Sequence, residues 1–551
     1  MKSLTCLFAS SVIALAAVLA TPAAAQTAPA PTPAPAVPPK LIVVISVDQF
    51  SADLFQEYRP HFTGGFARLL TGTVFPSGYQ SHAATETCPG HSTILSGFRP
   101  EHTGIIANNW IDQSAPRADK QVYCAEDETV PGSTSSSYTV SDKHLLVPTL
   151  GERMKAANPA NRVVSVAGKD RAAVMMGGHK VDELWWWDGK AFVSYAGRAV
   201  PPVVARTNAD VAARIAQAQP ALDEPEWCAS HDHAVPVSPE KSVGTGRFER
   251  EAGNMAKFRA SPVFDAEILA LGAGLIQDMK LGHGPATDII SIGASATDYV
   301  GHTFGTEGAE MCIQVANLDR SLGSFFKILD QTGADYEVVL TADHGGNDLP
   351  ERERTNGIPE AERADVALAP VNIGRGIAAK LGITGPVLFG DIPNGDVWIS
   401  TALDAKQRAA VQAEAIARYK AMPQVAAVFT GAQIAASPEP KGPVESWTLL
   451  EKARASYNAA HSGDLLVFLK PRVTPIPDPA HGNVATHGSP YNYDRRVPIL
   501  FWRKGMATAE HTNGIETVDI MPTLAAQIGL PIEVPKVDGK CLDLATGAPC
   551  R

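Results

Sequence analysis

The segment Thr85–Gly97 combines a hydroxyl side chain with the features of a helix start. Pro89 suits a first helical turn, because the N–H that proline lacks has no partner there in any case. The free N–H groups of such a turn and the helix dipole attract an anion. Thr87 directly precedes this turn, so we interpret it as a candidate nucleophile toward a phosphoryl group, provided that other residues remove its proton.

Carboxylate and imidazole side chains of metal-ligand type lie elsewhere in the chain. The Asp-x-x-x-His spacing of Asp298 and His302 and the adjacent pair Asp343-His344 are oxygen and nitrogen ligand sets that suit Zn²⁺. Each signal alone is weak, since an isolated Asp-His pair is more often a surface turn. Two metal ions about 4 Å apart would clamp the attacking and leaving oxygens of an in-line displacement. One ion would lower the pKa of Thr87 and the other would stabilise the leaving oxygen.

Five apolar, largely β-branched runs predict strands that are buried on both faces of a parallel sheet. Their bounds are 41–47, 163–167, 288–292, 336–341 and 497–502. Four of these runs lead into polar residues and the fifth follows His487, and open α/β sheets bind ligands at the carboxyl ends of their strands. Helical patterns such as 262–279 and 518–528 lie between the runs. The alternation predicts an α/β fold with a doubly wound, mostly parallel sheet and helices on both faces.

Two segments, about 181–260 and 351–475, interrupt this alternation. The first contains Trp185-Trp186-Trp187 and several prolines, and the second begins with a charged run at Glu351. We interpret both as insertions that form lids or a crown over the site. The tryptophan run is interpreted as the core of a lid rather than as a platform for substrate. His231-Asp232-His233 resembles a metal-binding motif. Because it lies in the irregular first insertion, we do not assign it a metal.

Composition and the N-terminus indicate an exported protein. The 551 residues have a formal net charge of −11 and no long basic run, which makes nucleic acid or an anionic membrane an unsuitable partner. Lys2, the apolar run 7–19 and Ala23-Ala24-Ala25 predict a signal peptide over residues 1–25, and no other run approaches the ~20 apolar residues of a membrane span. Residues 26–39 are an Ala/Pro-rich leader, so the catalytic domain spans 40–551 in a periplasmic or secreted protein.

Removal of the signal peptide leaves six cysteines, which in an oxidising compartment could pair in 15 ways. Only Cys541 and Cys550 are favoured as a pair by their local spacing. Cys88 is interpreted as a structural residue, with Cys124 as a candidate partner, rather than as a reactive thiol.

The order of these motifs resembles the alkaline phosphatase superfamily. Within it the chain is similar to the periplasmic alkaline phosphatases of the PafA/PhoK type, which use a threonine nucleophile, and the resemblance covers the mature chain from Lys40. The Thr-x-Pro-x-His turn is shared with the nucleotide pyrophosphatase/phosphodiesterases. The resemblance implies two Zn²⁺ per chain, one held by Asp298, His302 and His487, and the other by Asp48, Asp343, His344 and the Thr87 oxygen.

The resemblance also implies three residues that bind the substrate. Asn108, with Asn109 as the alternative, matches an asparagine that hydrogen-bonds a phosphoryl oxygen. Lys169 and Arg171 match a Lys-x-Arg pair that separates monoesterases from diesterases, and an arginine fork can hold two phosphate oxygens at once. Counting two Zn²⁺, three aspartates, these two cations and deprotonated Thr87, the site carries the positive charge that a phosphate monoester dianion needs.

We therefore expect a monomeric alkaline phosphatase that hydrolyses small-molecule phosphate monoesters through a phosphothreonine intermediate, with an alkaline pH optimum. The alternative is a phosphodiesterase or nucleotide pyrophosphatase on the same bimetal core, and a non-catalytic phosphate-binding protein is the rival of another class. A sulfatase is excluded, because Cys88-Pro89-Gly90-His91 lacks the Cys-x-Pro-x-Arg context. His91 is expected to pack or to cap the helix rather than to bind metal, and His487 is preferred to His481 as the late ligand.

Overall fold

The structure is a computed structural model that describes residues 37–390, 393–532, 536–544 and 550. The predicted signal peptide, and the leader except for residues 37–39, lie outside the described residues. The described residues belong to one compact unit. Among the described helices, none combines the length and the apolar character that crossing a membrane requires.

The described residues contain twenty strands, which form one large sheet and several small ones. In chain order they are β1 (Leu41–Val47), β2 (Thr73–Tyr79), β3 (Asn109–Ile111), β4 (Gln121–Tyr123), β5 (Val163–Ala167), β6 (Glu183–Trp187), β7 (Phe192–Val193), β8 (Val235–Ser238), β9 (Lys241–Val243), β10 (Asp288–Ala294), β11 (Tyr336–Thr341), β12 (Glu362–Arg363), β13 (Leu388–Phe389), β14 (Gly395–Ile399), β15 (Val425–Thr430), β16 (Leu465–Leu469), β17 (Val473–Thr474), β18 (Arg496–Arg503), β19 (Ala509–Glu510) and β20 (Ile515–Glu516).

The described α-helices number eighteen. They are α1 (Ala52–Tyr58), α2 (Gly65–Leu69), α3 (Thr87–Ile94), α4 (Pro100–Thr103), α5 (Leu150–Ala157), α6 (Asp170–Gly177), α7 (Pro202–Ile215), α8 (Met255–Arg259), α9 (Pro262–Asp278), α10 (Ala296–Phe304), α11 (Ala309–Thr332), α12 (Pro350–Thr355), α13 (Pro370–Leu381), α14 (Ala405–Ala421), α15 (Gly431–Ala436), α16 (Leu449–Ser456), α17 (Asn492–Arg495) and α18 (Ile520–Gln527). Short 3-10 helices occupy Arg59–His61, Glu226–His231, Val366–Leu368, Val444–Ser446 and Thr517–Asp519.

The large sheet has β1 near its centre. The strand order is β19-β2-β18-β11-β1-β10-β5-β6-β7, with β20 also paired to β2. β1 is parallel to both of its neighbours, β10 and β11, while β18 is antiparallel to β11 and to β2. All five predicted strands are present, and the predicted α/β fold with a mostly parallel sheet is confirmed. The expectation of parallel pairing is wrong for the run 497–502, because β18 is antiparallel to both of its neighbours.

Helices cover both faces of this sheet. Alternate residues of a strand point to opposite faces, and the side chains of β1 accordingly divide between two apolar cores, with Val43 in one and Val44 in the other. Residues of α9 and α11 pack in the first core, and residues of α6 and α18 pack in the second. The carboxyl end of β1 is therefore enclosed from both sides.

The first predicted insertion begins too early. The three tryptophans form most of β6, which pairs in parallel with β5 inside the large sheet, so the segment outside the sheet starts after β7. Trp185 and Trp187 pack in one core and Trp186 in the other. The run is short and contains no β-branched residue, so it lacks the sequence pattern by which the other buried strands were predicted.

The second predicted insertion, about 351–475, contains a separate antiparallel sheet. Its strand order is β13-β14-β16-β15, and it packs with α13 and α14 around a core of its own. β14 and β16 run antiparallel, with Gly395 opposite Val467.

Three disulfides join the six described cysteines. They are Cys88–Cys124, Cys228–Cys312 and Cys541–Cys550. The structural interpretation of Cys88 and the local pair near the C-terminus are both confirmed.

Candidate active site

Thr87 is the first residue of α3 and is fully buried. The preceding residue, Glu86, is extended and makes no side-chain cap, so the helix begins with free N–H groups. One of them, that of Cys88, donates to Oδ1 of Asn108 at 2.9 Å. Gly90 lets the helix approach β11, because a Cβ there would lie 2.0 Å from the carbonyl oxygen of Asp343. The predicted nucleophile turn is thus held against the end of the central strands.

Asp298, His302 and His487 form one group whose ligand atoms all lie within 4.8 Å of one another. Asp298 and His302 are one turn apart on α10, and Nε2 of His302 is 3.2 Å from Oδ1 of Asp298. Nε2 of His487 is 3.4 Å from the same oxygen. Nδ1 of each histidine donates to a backbone carbonyl, that of Ala485 or Thr85. These bonds orient both rings and leave Nε2 available to a metal.

A second group contains Asp48 and Asp343, the acids that follow β1 and β11. Oδ1 of Asp343 accepts from the backbone N–H groups of Gln49 and His344, which leaves Oδ2 directed into the site. Nε2 of His344 lies 3.2 Å from Oδ2 of Asp343. The ring of His344 stacks on that of His487 with 3.6 Å between the centroids, so the two groups adjoin.

His91 lies closer to this second group than its sequence context indicates. Its Nδ1 donates to the carbonyl of Thr87 at 2.9 Å, one turn back in the same helix. Its Nε2, however, is 3.4 Å from Oδ1 of Asp48, and Nδ1 is 3.3 Å from Oδ2 of Asp343. His91, Asp48 and Asp343 therefore also satisfy the spacing of a metal site.

Lys169 and Arg171 enter from the start of α6. Nζ of Lys169 lies 2.5 Å from Oδ2 of Asp298 and 2.9 Å from Oδ2 of Asp48, bridging the two groups. The guanidinium of Arg171 is 3.4 Å from Oγ1 of Thr87 and donates to the hydroxyl of Tyr123 at 3.3 Å. Of the two cations predicted to bind phosphate, Arg171 therefore contacts the predicted nucleophile, and Lys169 connects the two ligand groups.

Opposite charges lie close together in the site and shift the pKa values of its acids and histidines. Burial alone would raise the pKa of Asp298, but His302 and Lys169 hold that pKa well below its usual range. Burial alone would likewise lower the pKa of His344, but Asp343 raises it to about 9. Against the effect of burial, His344 and His91 also hold the pKa of Asp343 well below its usual range, so Asp298 and Asp343 are both acceptors at neutral pH, as metal ligands must be.

Several buried atoms of the site have no hydrogen-bond partner among the described residues. They are Oδ1 of Asp48, Oδ1 of Asp298, Oδ2 of Asp343 and Nε2 of His91 and His344. Buried polar atoms are rarely left unpaired without a functional reason. Carboxylate oxygens and imidazole nitrogens are also the donor set that zinc prefers.

Two cavities open onto these residues, and both include Arg171 and His302. One, of about 260 Å³, is lined by Asn108 and His487 and by residues of the second sheet. The other, of about 590 Å³, lies beside Tyr299 and α8. The second-sheet residues were missed in the sequence, because nothing in their local pattern links residue 396 to residue 87.

The rejected candidates lie elsewhere. His481 is almost fully exposed and its nearest charged partner is Asp478, which supports the choice of His487. His231 contacts Glu57 at 3.4 Å and the carbonyl of Glu307 at 3.3 Å, outside both ligand groups.

Comparison with known proteins places the chain among hydrolases of phosphate esters. Residues 42–490 match the family described as type I phosphodiesterase / nucleotide pyrophosphatase. The chain is 59% identical over 516 residues to alkaline phosphatase PhoK of a Sphingomonas species, covering 93% of this chain and 92% of PhoK. It is 47% identical over 508 residues to alkaline phosphatase PhoD of Zymomonas mobilis, covering 92% and 88% of the two chains. The crystal structure of wild-type alkaline phosphatase PafA has the same fold, with a TM-score of 0.78 at 24% identity over 90% of this chain and 96% of PafA.

Proposed function

The chain belongs to the type I phosphodiesterase / nucleotide pyrophosphatase family and is a phosphatase, and we propose that it hydrolyses phosphate monoesters with two Zn²⁺ ions through a phosphothreonine on Thr87. The observation that carries the proposal is the meeting of a helix-start hydroxyl, an arginine 3.4 Å from it and two carboxylate–histidine groups with unpaired buried atoms.

The residues present fit two zinc ions. Asp298, His302 and His487 would hold one, and Asp48, Asp343, His344 and Oγ1 of Thr87 would hold the other. Without a cation, unpaired carboxylate oxygens in a buried site are costly. When bound, the two ions would supply positive charge to the oxygens that become negative during phosphoryl transfer.

Thr87 performs the covalent step. Its Oγ1 gives up its proton to solvent and attacks phosphorus in line, the bond from phosphorus to the ester oxygen breaks, and that oxygen leaves with the electron pair and takes up a proton to become the alcohol. Water then cleaves the phosphothreonine and releases inorganic phosphate. Each step inverts the configuration at phosphorus, so the overall reaction retains it.

Three side chains hold the transferring group. Because Oδ1 of Asn108 already accepts from the N–H of Cys88, its amide nitrogen remains to donate to a phosphoryl oxygen. The planar fork of Arg171 can bind two oxygens at once, and Lys169 adds a compact positive charge. In the described structure the carboxylates of Asp48 and Asp298 raise the pKa of Lys169, against the effect of burial, so this lysine is charged over the whole working range.

Lys169 and Arg171 also favour a monoester over a diester. A monoester dianion offers three free oxygens to these cations, whereas a diester carries one charge fewer and a second substituent. Hydrolysis of diesters or nucleotide pyrophosphates remains the alternative, because the matching family is described by those activities.

The test compares a monoester with a diester. We expect zinc-loaded enzyme to hydrolyse p-nitrophenyl phosphate with a kcat/KM at least about 100-fold above that for bis-p-nitrophenyl phosphate. Lys169→Ala and Arg171→Ala should each lower the monoester value by about 10- to 1000-fold and the diester value by much less. Lys380→Ala, at an exposed ion pair, serves as the control. A diester preference in the unsubstituted enzyme would establish the alternative.

A further inference from the structure

The smaller cavity joins the phosphate-binding residues to the second sheet. One wall consists of Glu86, Asn108, Arg171 and His487, and the facing wall consists of Asn394, Asp396, Trp398 and Phe468. The second sheet is tied to the site here, because the amide of Asn394 donates to the carbonyl of Gly488 at 3.2 Å. A group esterified to a phosphate at Arg171 can extend into this space.

Asp396 on β14 supplies the negative charge of the facing wall. Its Oδ1 accepts from the N–H of Gly463 at 2.6 Å. Within the described part of the chain, no lysine, arginine or histidine pairs with this carboxylate. Burial and the nearby charge of Glu86 raise the pKa of Asp396 to about 7, which shows how poorly its negative charge is compensated. A cation placed beside Asp396 would supply that compensation.

Aromatic side chains complete the wall. Nε1 of Trp398 donates to the carbonyl of His461 at 3.3 Å, which fixes the ring at the cavity surface. Phe468 is buried behind it. Aromatic faces attract ammonium groups, and they do so most strongly where water is excluded.

The cavity is therefore positive where Arg171 lines it and negative where Asp396 lines it. We propose that it is a subsite for a cationic leaving group, so that phosphate monoesters of small amino alcohols are preferred substrates. The phosphate is bound at Arg171 and the ammonium group between Asp396 and Trp398. This inference rests on the proposed function, since it concerns the alcohol released by that reaction.

Two esters of the same shape separate charge from size. Phosphocholine carries a trimethylammonium group, and 3,3-dimethylbutyl phosphate carries a tert-butyl group in its place. The two alcohols differ in acidity, so the comparison is made between enzyme variants and not between substrates. Asp396→Asn is the informative variant, because its amide oxygen can still accept from Gly463.

Asp396→Asn is expected to lower kcat/KM for phosphocholine about tenfold and to change that for 3,3-dimethylbutyl phosphate less than twofold. Trp398→Leu should produce the same selective loss, about threefold, without altering charge. Glu439→Gln removes an exposed charge from the same inserted segment and should change neither value.

An equal loss for both esters, or no loss for either, in both Asp396→Asn and Trp398→Leu would overturn the subsite. Failure of the zinc-loaded enzyme to hydrolyse either ester or p-nitrophenyl phosphate would instead refute the proposed function. Melting curves of the variants show whether each one is folded.

Discussion

The helix α3, which begins at Thr87, lies against the backbone of Asp343 because Gly90 has no side chain. A Cβ at that position would lie 2.0 Å from the Asp343 carbonyl oxygen. Any other residue would push α3 away from β11 and separate the nucleophile from the acid. The geometry of the site therefore depends on the missing Cβ of Gly90 as well as on the polar side chains.

Replacement of Thr87 by alanine tests the nucleophile. We expect kcat/KM for p-nitrophenyl phosphate to fall by at least about 1000-fold, because no covalent intermediate can form. Zinc content should stay near two per chain, since the other six side-chain ligands remain. Thr87→Ser, which keeps a hydroxyl, should retain measurable turnover. Unchanged activity of Thr87→Ala would show that the hydroxyl does not attack phosphorus.

His344 and His91 compete for the role of ligand beside Asp343. His91 already bonds the Thr87 carbonyl one turn back in its own helix, which engages its Nδ1. We expect His344→Ala to lose about one zinc per chain and His91→Ala to keep both. Metal analysis of the two purified variants decides between them, and the reverse result would exchange their roles.

At the scale of elements, the N-terminus of α10 is hydrogen-bonded by a residue of another helix. Its N-cap residue Ser295 makes no side-chain cap, but the carboxylate of Asp265 on α9 accepts from the N–H of Ala296 at 2.8 Å. Gln314 on α11 donates to the other oxygen of Asp265 at 2.8 Å and to Thr297 at 3.2 Å. Two long helices thus hold the turn that presents Asp298.

β11 contains a buried acid, Glu337, whose ionisation makes the stability of the protein depend on pH. Burial raises the pKa of Glu337 from 4.5 to about 7, and neither oxygen has a hydrogen-bond partner among the described residues. Because the folded-state pKa lies above the unfolded value, ionisation favours the unfolded state. The resulting destabilisation develops between pH 4.5 and about pH 7 and persists above that.

Glu337→Gln should therefore raise the free energy of unfolding by about 3 kcal/mol at alkaline pH and change it little near pH 4. Urea unfolding at the two pH values measures this difference. Glu362→Gln, on an exposed strand residue, provides the comparison. An effect of Glu337→Gln that is independent of pH would contradict the buried-carboxylate explanation.

At the scale of the whole molecule, Cys228–Cys312 connects the first inserted segment to α11. The bridge closes a sequence separation of 84 residues. In the chain-entropy description, a loop of this length corresponds to about 4–5 kcal/mol of stability.

The double variant Cys228→Ser/Cys312→Ser should lower the melting temperature while leaving kcat/KM at 25 °C within about twofold, because neither cysteine contacts the site. Thermal melts and assays of the same preparation test both parts. A large loss of activity in protein that is still folded would show that the inserted segment shapes the site directly.

The strands and the ligand types were predictable from the sequence because they depend on local chemistry. A run such as Leu41–Val47 predicts a buried strand wherever it lies, and the acid after it marks a strand end. The direction of β18 could not be predicted, because a run of apolar residues has the same pattern in a parallel and an antiparallel pair. The tryptophans of β6 were misplaced because their run is short and contains no β-branched residue.

The sequence by itself determined which residues could perform the chemistry: the threonine before a helix turn, the spaced aspartates and histidines, and the Lys-x-Arg pair. Only the tertiary structure decided which of them meet, placing His91 beside Asp48 and bringing Asp396 and Trp398 across from Arg171. The reason is physical. Secondary structure and ligand type follow from interactions between near neighbours in the chain, whereas the meeting of residues hundreds of positions apart follows from how sheets and helices pack.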